Sequence, residues 1–317
     1  MGRFRYGNVK KMKSDASQGS KIWLAYAGLV LTVFFWSVNT VLARGMVFTI
    51  KPMALSFFRW MTALVCILPF SAAAVKRDWP EIRKHTGYLF VLSIFSVALY
   101  NSVLYLVAQF TTAINISLVI AAMPGITLLF VWMIIRERPQ LLQTIGIGVS
   151  LAGVLIIVCK GSLSVLLGLT FNPGDILIIL SISSWALYSV LLKKRDIRIS
   201  PIALLTVLIV MGLVCIFPFY LLEYKVYQGF ELNKNTVLLF AFLGIFPSIV
   251  SYICWNYGVK ITGSSTAAIF MYLIPVFTSL LAWLFLDEQL FSYHFTGGIL
   301  ILAGLLMSSK GHKKPES

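Results

Sequence analysis

The stretch Leu64-Val65-Cys66-Ile67-Leu68-Pro69-Phe70 returns 149 residues later as Leu213-Val214-Cys215-Ile216-Phe217-Pro218-Phe219. At the same offset Trp36 matches Trp185, Pro52 matches Pro201, and Ala54-Leu55 matches Ala203-Leu204. Further along the offset becomes 151, where Pro124 matches Pro275, Glu137 matches Glu288, Gly146 matches Gly297 and Gly153 matches Gly304. One half is written twice, with a two-residue insertion. The medium in which it repeats is apolar: of 317 residues 59% are hydrophobic and 12% charged, against about 25% charged in an ordinary soluble domain. Paired repeats in an apolar chain point to a transporter.

The apolar residues fall into ten runs, 22–42, 54–74, 87–108, 112–135, 142–160, 174–192, 202–222, 237–257, 263–286 and 293–309. Each is close to the ~20 residues a helix needs to cross a bilayer core. The expected class is therefore all-α integral membrane, with ten transmembrane helices. The first repeat takes 22–160, a linker with Gly161, Gly168, Asn172, Pro173 and Gly174 takes 161–173, and the second repeat takes 174–309. Tails of 1–21 and 310–317 flank them. Five helices per copy is an odd number, so the second copy enters from the opposite side. The expected architecture is two inverted five-helix repeats about an axis in the membrane plane.

The formal net charge of +15 does not indicate nucleic acid, because of where it lies. With the N-terminus inside, twenty Lys and Arg fall on the inner side and five on the outer; the remaining one is Arg59, inside the second span. This is the positive-inside bias of short loops, and it places both termini in the cytoplasm of a multi-pass cell-membrane protein. The first run lacks a small-residue cleavage site and is expected to be a retained helix. The four cysteines sit in apolar spans with no CxxC, so neither a disulfide framework nor a metal centre is expected. No cofactor is expected.

The order of elements resembles the EamA-type drug/metabolite transporter superfamily. The resemblance rests on Trp36 with Asn39 and Trp185 with Tyr188 in the first helix of each copy, on Arg59 early in the second helix, and on a closing block that occurs twice, Pro124, Glu137, Gly146, Gly153 and Pro275, Glu288, Gly297, Gly304. It covers 22–309 and implies a central cavity from helices 1–4 and 6–9, with helices 5 and 10 as outer scaffold. Leu208 stands where the second copy would carry the arginine.

Candidate cavity residues follow from spacing and residue type. Asn101, Tyr105 and Gln109 recur every four residues and share a helix face; the corresponding face carries Tyr252, Asn256 and Lys260. Each half would then present one amide and one phenol to a common cavity, or use them as glue between helices. Trp36, Asn39, Trp185 and Tyr188 form a second matched set, and Tyr100, Trp255 and Tyr272 add aromatic surface suited to a planar substrate or a cation over a ring. Arg59 is either an interfacial anchor or a dock for a substrate carboxylate. Pro124 and Pro275, expected mid-helix, are candidate hinges; Pro247 has no counterpart. The glycines spaced by seven suit close helix packing, within one chain or in a homodimer.

No Asp, Glu or His lies at mid-membrane, which favours facilitated diffusion or exchange over a proton relay, although Glu288 remains a candidate gate titrant. His85, His294 and His312 are too scattered to build an intramembrane enzyme. The reading is a carrier of a small organic metabolite by alternating access, most directly an amino acid or related amphipathic compound moving outward. A drug or organic-cation exporter is the alternative, and a channel a weaker one.

Overall fold

The computed structural model describes residues 3–136, 140–162, 164, 172–195, 197–262 and 270–310. The turn at Glu137-Arg138-Pro139, most of the expected linker and the beginning of the ninth expected span lie outside them. Among the described residues the chain is helical, with no strand. The segments in order are α1 Arg3–Met46, α2 Pro52–Lys84, α3 Thr86–Val107, α4 Ala113–Ile135, α5 Leu141–Val158, α6 Pro173–Lys194, α7 Pro201–Tyr227, α8 Lys234–Thr262, α9 Leu273–Leu286 and α10 Ser292–Lys310. The first eight hold stretches long and apolar enough to cross a membrane; α9 is apolar and shorter.

Two proline expectations are corrected. Pro124 does not kink a continuous helix. Helix α4 is already interrupted by a turn at Ala121-Ala122, and Pro124 sits in the first turn of the piece Met123–Phe130. Pro275 likewise lies in the first turn of α9, after a turn at Met271-Tyr272. A proline in a first turn leaves no backbone acceptor without its donor, so the break precedes the ring. A feature that periodicity did not reveal is a π-helical turn in α3, Ile94–Leu99, and another in α8, Gly244–Val250.

Packing joins the two copies. In α1 the Thr32 hydroxyl donates to Ser251 O of α8 at 3.1 Å, and in α6 the Ser181 hydroxyl donates to Tyr100 O of α3 at 2.9 Å. These two bonds are the same bond under the repeat offsets. Helices α2 and α7 exchange caps. Glu223 of α7 accepts from the Met53 and Ala54 N–H groups at 3.0 and 2.7 Å, and Asp78 of α2 accepts from Ser200 N–H at 2.8 Å, just ahead of α7. Carboxylates satisfy helix N-termini, whose first N–H groups have no intrahelical partner.

The glycine faces of α5 and α10 pack against each other within the chain. A Cβ at Gly153 would lie 2.6 Å from Gly297 O, and Ser150 Oγ donates to Ile301 O at 3.1 Å across the seam. In lipid, where apolar burial gives no net drive between helices, such close contact is what holds them. The glycine face offered as a homodimer surface is thus used internally. Gly153→Ala therefore forces backbones apart and is expected to lower the melting temperature by about 2–10 °C, from an overpacking cost of ~1–3 kcal/mol. Gly148→Ala, whose Cβ would meet nothing within 4 Å, is expected to lower it not at all; differential scanning fluorimetry of both variants makes the comparison.

Candidate functional site

Helix α2 carries Arg59 into the centre of the bundle, where it is 2% exposed. It is not an interfacial anchor: its guanidinium turns inward between α1, α3 and α8. Nε donates to Ser248 Oγ at 2.8 Å, and Nη1 donates to Asn101 Oδ1 at 2.9 Å and to Tyr105 OH at 2.8 Å, with Asn39 Oδ1 at 3.4 Å. Each partner is oriented by a further bond. Tyr105 OH donates to Asn39 Oδ1 at 2.7 Å, Asn101 Nδ2 donates to Ser96 O at 3.0 Å, and Ser248 Oγ donates to Leu243 O at 2.8 Å. Rings flank the cation, Trp60 at 4.9 Å and Tyr105 at 5.9 Å.

The chemistry of this cluster lies in what it lacks. Among the described residues no carboxylate forms an ion pair with Arg59, and Nη2 makes only a 3.5 Å contact with Pro247 O, at the edge of hydrogen-bond range. A buried charge held by neutral dipoles alone is costly. The cavity beside it is lined by Trp36, Asn39, Arg59, Tyr100, Asn101, Trp185 and Tyr252, with Thr40, Met271 and Ile274. Trp36 Nε1 donates to Pro247 O at 3.2 Å. Trp185 packs against Tyr100, Tyr188 and Tyr252, with centroids at 4.8, 5.3 and 6.1 Å. The space is about 30 Å³, enough for water and far below the several hundred Å³ of a ligand pocket.

Of the expected site residues, seven line this cavity or, as Tyr105 does, hold Arg59 there directly: Trp36, Asn39, Arg59, Asn101, Trp185 and Tyr252 are the other six. Tyr188 is buried behind Trp185. Tyr272 is half-buried in the turn before α9, and its neighbour Met271 reaches the cavity instead. Asn256 is exposed; it is the adjacent Trp255 that packs on Trp36, at 5.4 Å. The expected symmetry of one amide and one phenol per half is therefore corrected. Asn101 and Tyr105 are drawn to Arg59, whereas the second half has Leu208 in an apolar cluster with Trp60 and Tyr188 and so no cation to gather them. Ser248 escaped the sequence reading, since serines in apolar helices usually bond their own backbone; its place beside the unmatched Pro247 was the available signal.

The EamA-like transporter family matches this chain twice, over residues 23–159 and 172–310. The chain is similar to an uncharacterized transporter of Archaeoglobus fulgidus, 28% identical over 294 residues and covering 90% of this chain and 97% of that one. It is also similar to the uncharacterized transporter YyaM of Bacillus subtilis, 25% identical, covering 80% and 82%. A solved crystal structure shares the fold, with a TM-score of 0.58 at 17% identity over 91% of this chain and 97% of the other.

Tyr105→Phe is expected to destabilise the protein by ~1–3 kcal/mol, because it removes an acceptor from a buried cation and a donor to Asn39. Tyr100→Phe, at a phenol with no hydrogen bond among the described residues, is expected to change stability little. Thermal melts of the two purified variants in one detergent compare them.

Proposed function

The chain belongs to the EamA-like transporter family, and from that premise we propose that it moves a small organic metabolite bearing an anionic group through the cavity at Arg59. It is a multi-pass membrane transporter and not an enzyme. An amino acid or related amphipathic compound is the substrate class that suits the site. A carboxylate would meet the Nη2 edge of Arg59, for which the described residues supply no counter-charge, while the apolar or cationic remainder rests on Trp36, Trp185 and Tyr252. The buried, acid-free environment of Arg59 is the observation that carries this reading. An organic cation finds the same rings but also the repulsion of Arg59, which disfavours the drug-exporter alternative.

The transport cycle in this reading is alternating access between two inverted five-helix repeats, ten crossings in all, with both termini in the cytoplasm of the cell membrane and export as the working direction. Its supports are the twice-matched family, the paired bonds of Thr32 and Ser181, and the caps exchanged by Asp78 and Glu223. A cavity with room only for water belongs to a contracted state, so substrate enters when the halves separate at one end. The interruptions ahead of Pro124 and Pro275 are where α4 and α9 can bend in that step.

Arg59→Gln keeps hydrogen-bonding capacity without charge. In reconstituted vesicles carrying a mixture of amino acids, it is expected to weaken counterflow of carboxylate substrates at least about tenfold, the scale of one lost charge-assisted bond. Asn256→Ala is expected to leave counterflow unchanged. Undiminished carboxylate transport by Arg59→Gln would sink the docking role, and gain of an organic cation would favour the alternative. Counterflow is expected to persist without a proton gradient, because no carboxylate lines the cavity among the described residues; strict dependence on such a gradient in the same vesicles would contradict facilitation.

A further inference from the structure

At the end of the bundle where α1 finishes and α4 begins, a buried histidine ties two helices together. His294, in the first turn of α10, is 3% exposed. The Phe291 N–H donates to its Nδ1 at 2.9 Å, so Nδ1 is an acceptor and the ring proton lies on Nε2. That proton is given to Asn115 Oδ1 at 2.9 Å, and Asn115 Nδ2 donates to Thr111 Oγ1 at 3.0 Å, which fixes the amide's orientation. The same first turn of α4 is held by Glu288, which accepts from the Ala113 and Ile114 N–H groups at 2.9 and 3.1 Å. Arg44, at the end of α1, lies 3.8 Å from Glu288 and donates to Ala108 O at 2.6 Å. The ends of α1, α3 and α4 and the junction of α9 with α10 are thus fastened at one place.

The other copy shows what is special here. At the repeat offset His294 corresponds to Gln143, and Phe291 to Gln140. The Gln140 N–H donates to Gln143 Oε1 at 2.8 Å, the same side-chain cap on the same backbone group. An amide does that work at every pH. An imidazole does it only while Nδ1 is unprotonated, and its ordinary titration falls in the physiological range.

We propose that His294 is a proton-operated latch: protonation at Nδ1 removes the acceptor for Phe291 N–H and undoes the first turn of α10, the turn that seats the ring against Asn115 of α4, so that this end of the bundle loosens in acid. The sign follows from the roles of the nitrogens. The neutral ring satisfies both neighbours, whereas the imidazolium presents a donor to a donor. The groups facing His294 do not reverse this. On its own helix Tyr293 packs at 4.2 Å. Asp287 and Glu288 lie in the preceding turn, where the Glu288 carboxylate already serves two N–H groups and Arg44. Helix α5 contributes Cys159 and Lys160 at its end, α6 lies across α4, and α4 itself has no ionisable side chain. The latch belongs to the scaffold and does not depend on which substrate is carried.

The test is amide hydrogen exchange on the full chain in nanodiscs at about pH 5.5 and about pH 7.5, which bracket the ordinary imidazole range, with rates corrected for intrinsic chemistry. In the wild type, protection over 113–117 and 291–296 is expected to fall about tenfold in acid. His294→Gln, which installs the residue of the other copy, is expected to keep the same protection at both pH values. Equal protection in the wild type at both pH values overturns the proposal, and so does the same acid loss in His294→Gln. Glu288→Gln is the second variant. Acid loss that persists in it supports titration at His294; acid loss that vanishes in it assigns the sensor to Glu288 and overturns the proposal.

Discussion

A guanidinium placed inside an apolar bundle with no carboxylate partner among the described residues is the constraint on which the centre of this protein depends. Such a charge survives only if enough dipoles converge on it, and four neutral groups from three other helices do so: Asn39, Asn101, Tyr105 and Ser248. Two of these depend on the π-helical turns. In an α-helix the Leu243 carbonyl would bond the N–H of residue 247, but Pro247 has none. The Ser248 hydroxyl takes that carbonyl instead, at 2.8 Å, and is thereby fixed to receive Arg59 Nε. In α3 the matching turn leaves Ser96 O to take Asn101 Nδ2, which aims Asn101 Oδ1 at the cation. Irregular backbone at membrane depth is tolerated where it lines a cavity, and here it supplies the groups that make the buried charge possible.

This arrangement explains what could be read from the sequence and what could not. The four-residue spacing of Asn101 and Tyr105 put both on one helical face, but nothing in the spacing named Arg59 as the partner that gathers them. The same spacing misled for Asn256, because equal position in a repeat is not equal environment. What draws an amide inward is a partner, and Leu208 offers none. The π turns left no trace in hydrophobic periodicity, since one extra residue in a turn among apolar side chains changes no pattern. Proline, a strong local signal, was read correctly as an interruption and wrongly as its centre. The chain breaks helix at Ala121-Ala122, so that Pro124 falls where a missing N–H costs nothing.

Three acids are employed at helix ends. Asp78, Glu223 and Glu288 each accept from one or two backbone N–H groups that begin another helix. A carboxylate so used fastens the end of one helix to the start of another, and the bonds cost little to break and remake if water enters. That is what the proposed alternating carrier would require of its ends: closed contacts that are specific in geometry and exchangeable in energy, unlike the close backbone contact of the glycine seam between α5 and α10.

The two copies therefore share a scaffold and differ in chemistry at a few sites. Thr32 and Ser181 make the same bond, as do Gln143 and His294 to the backbone. Against that background each substitution changes one physical property. Arginine against leucine at 59 and 208 gives the cavity a charge on one wall only. Histidine against glutamine at 294 and 143 puts a titratable ring at one end where the other copy has an amide making the same cap. A symmetric scaffold with equal ends would have no preferred side. In the proposed carrier, two single-residue differences, one at the centre and one at an end, would let substrate and solution act unequally on two conformations, because a ligand shifts an equilibrium only by its differential affinity for the states.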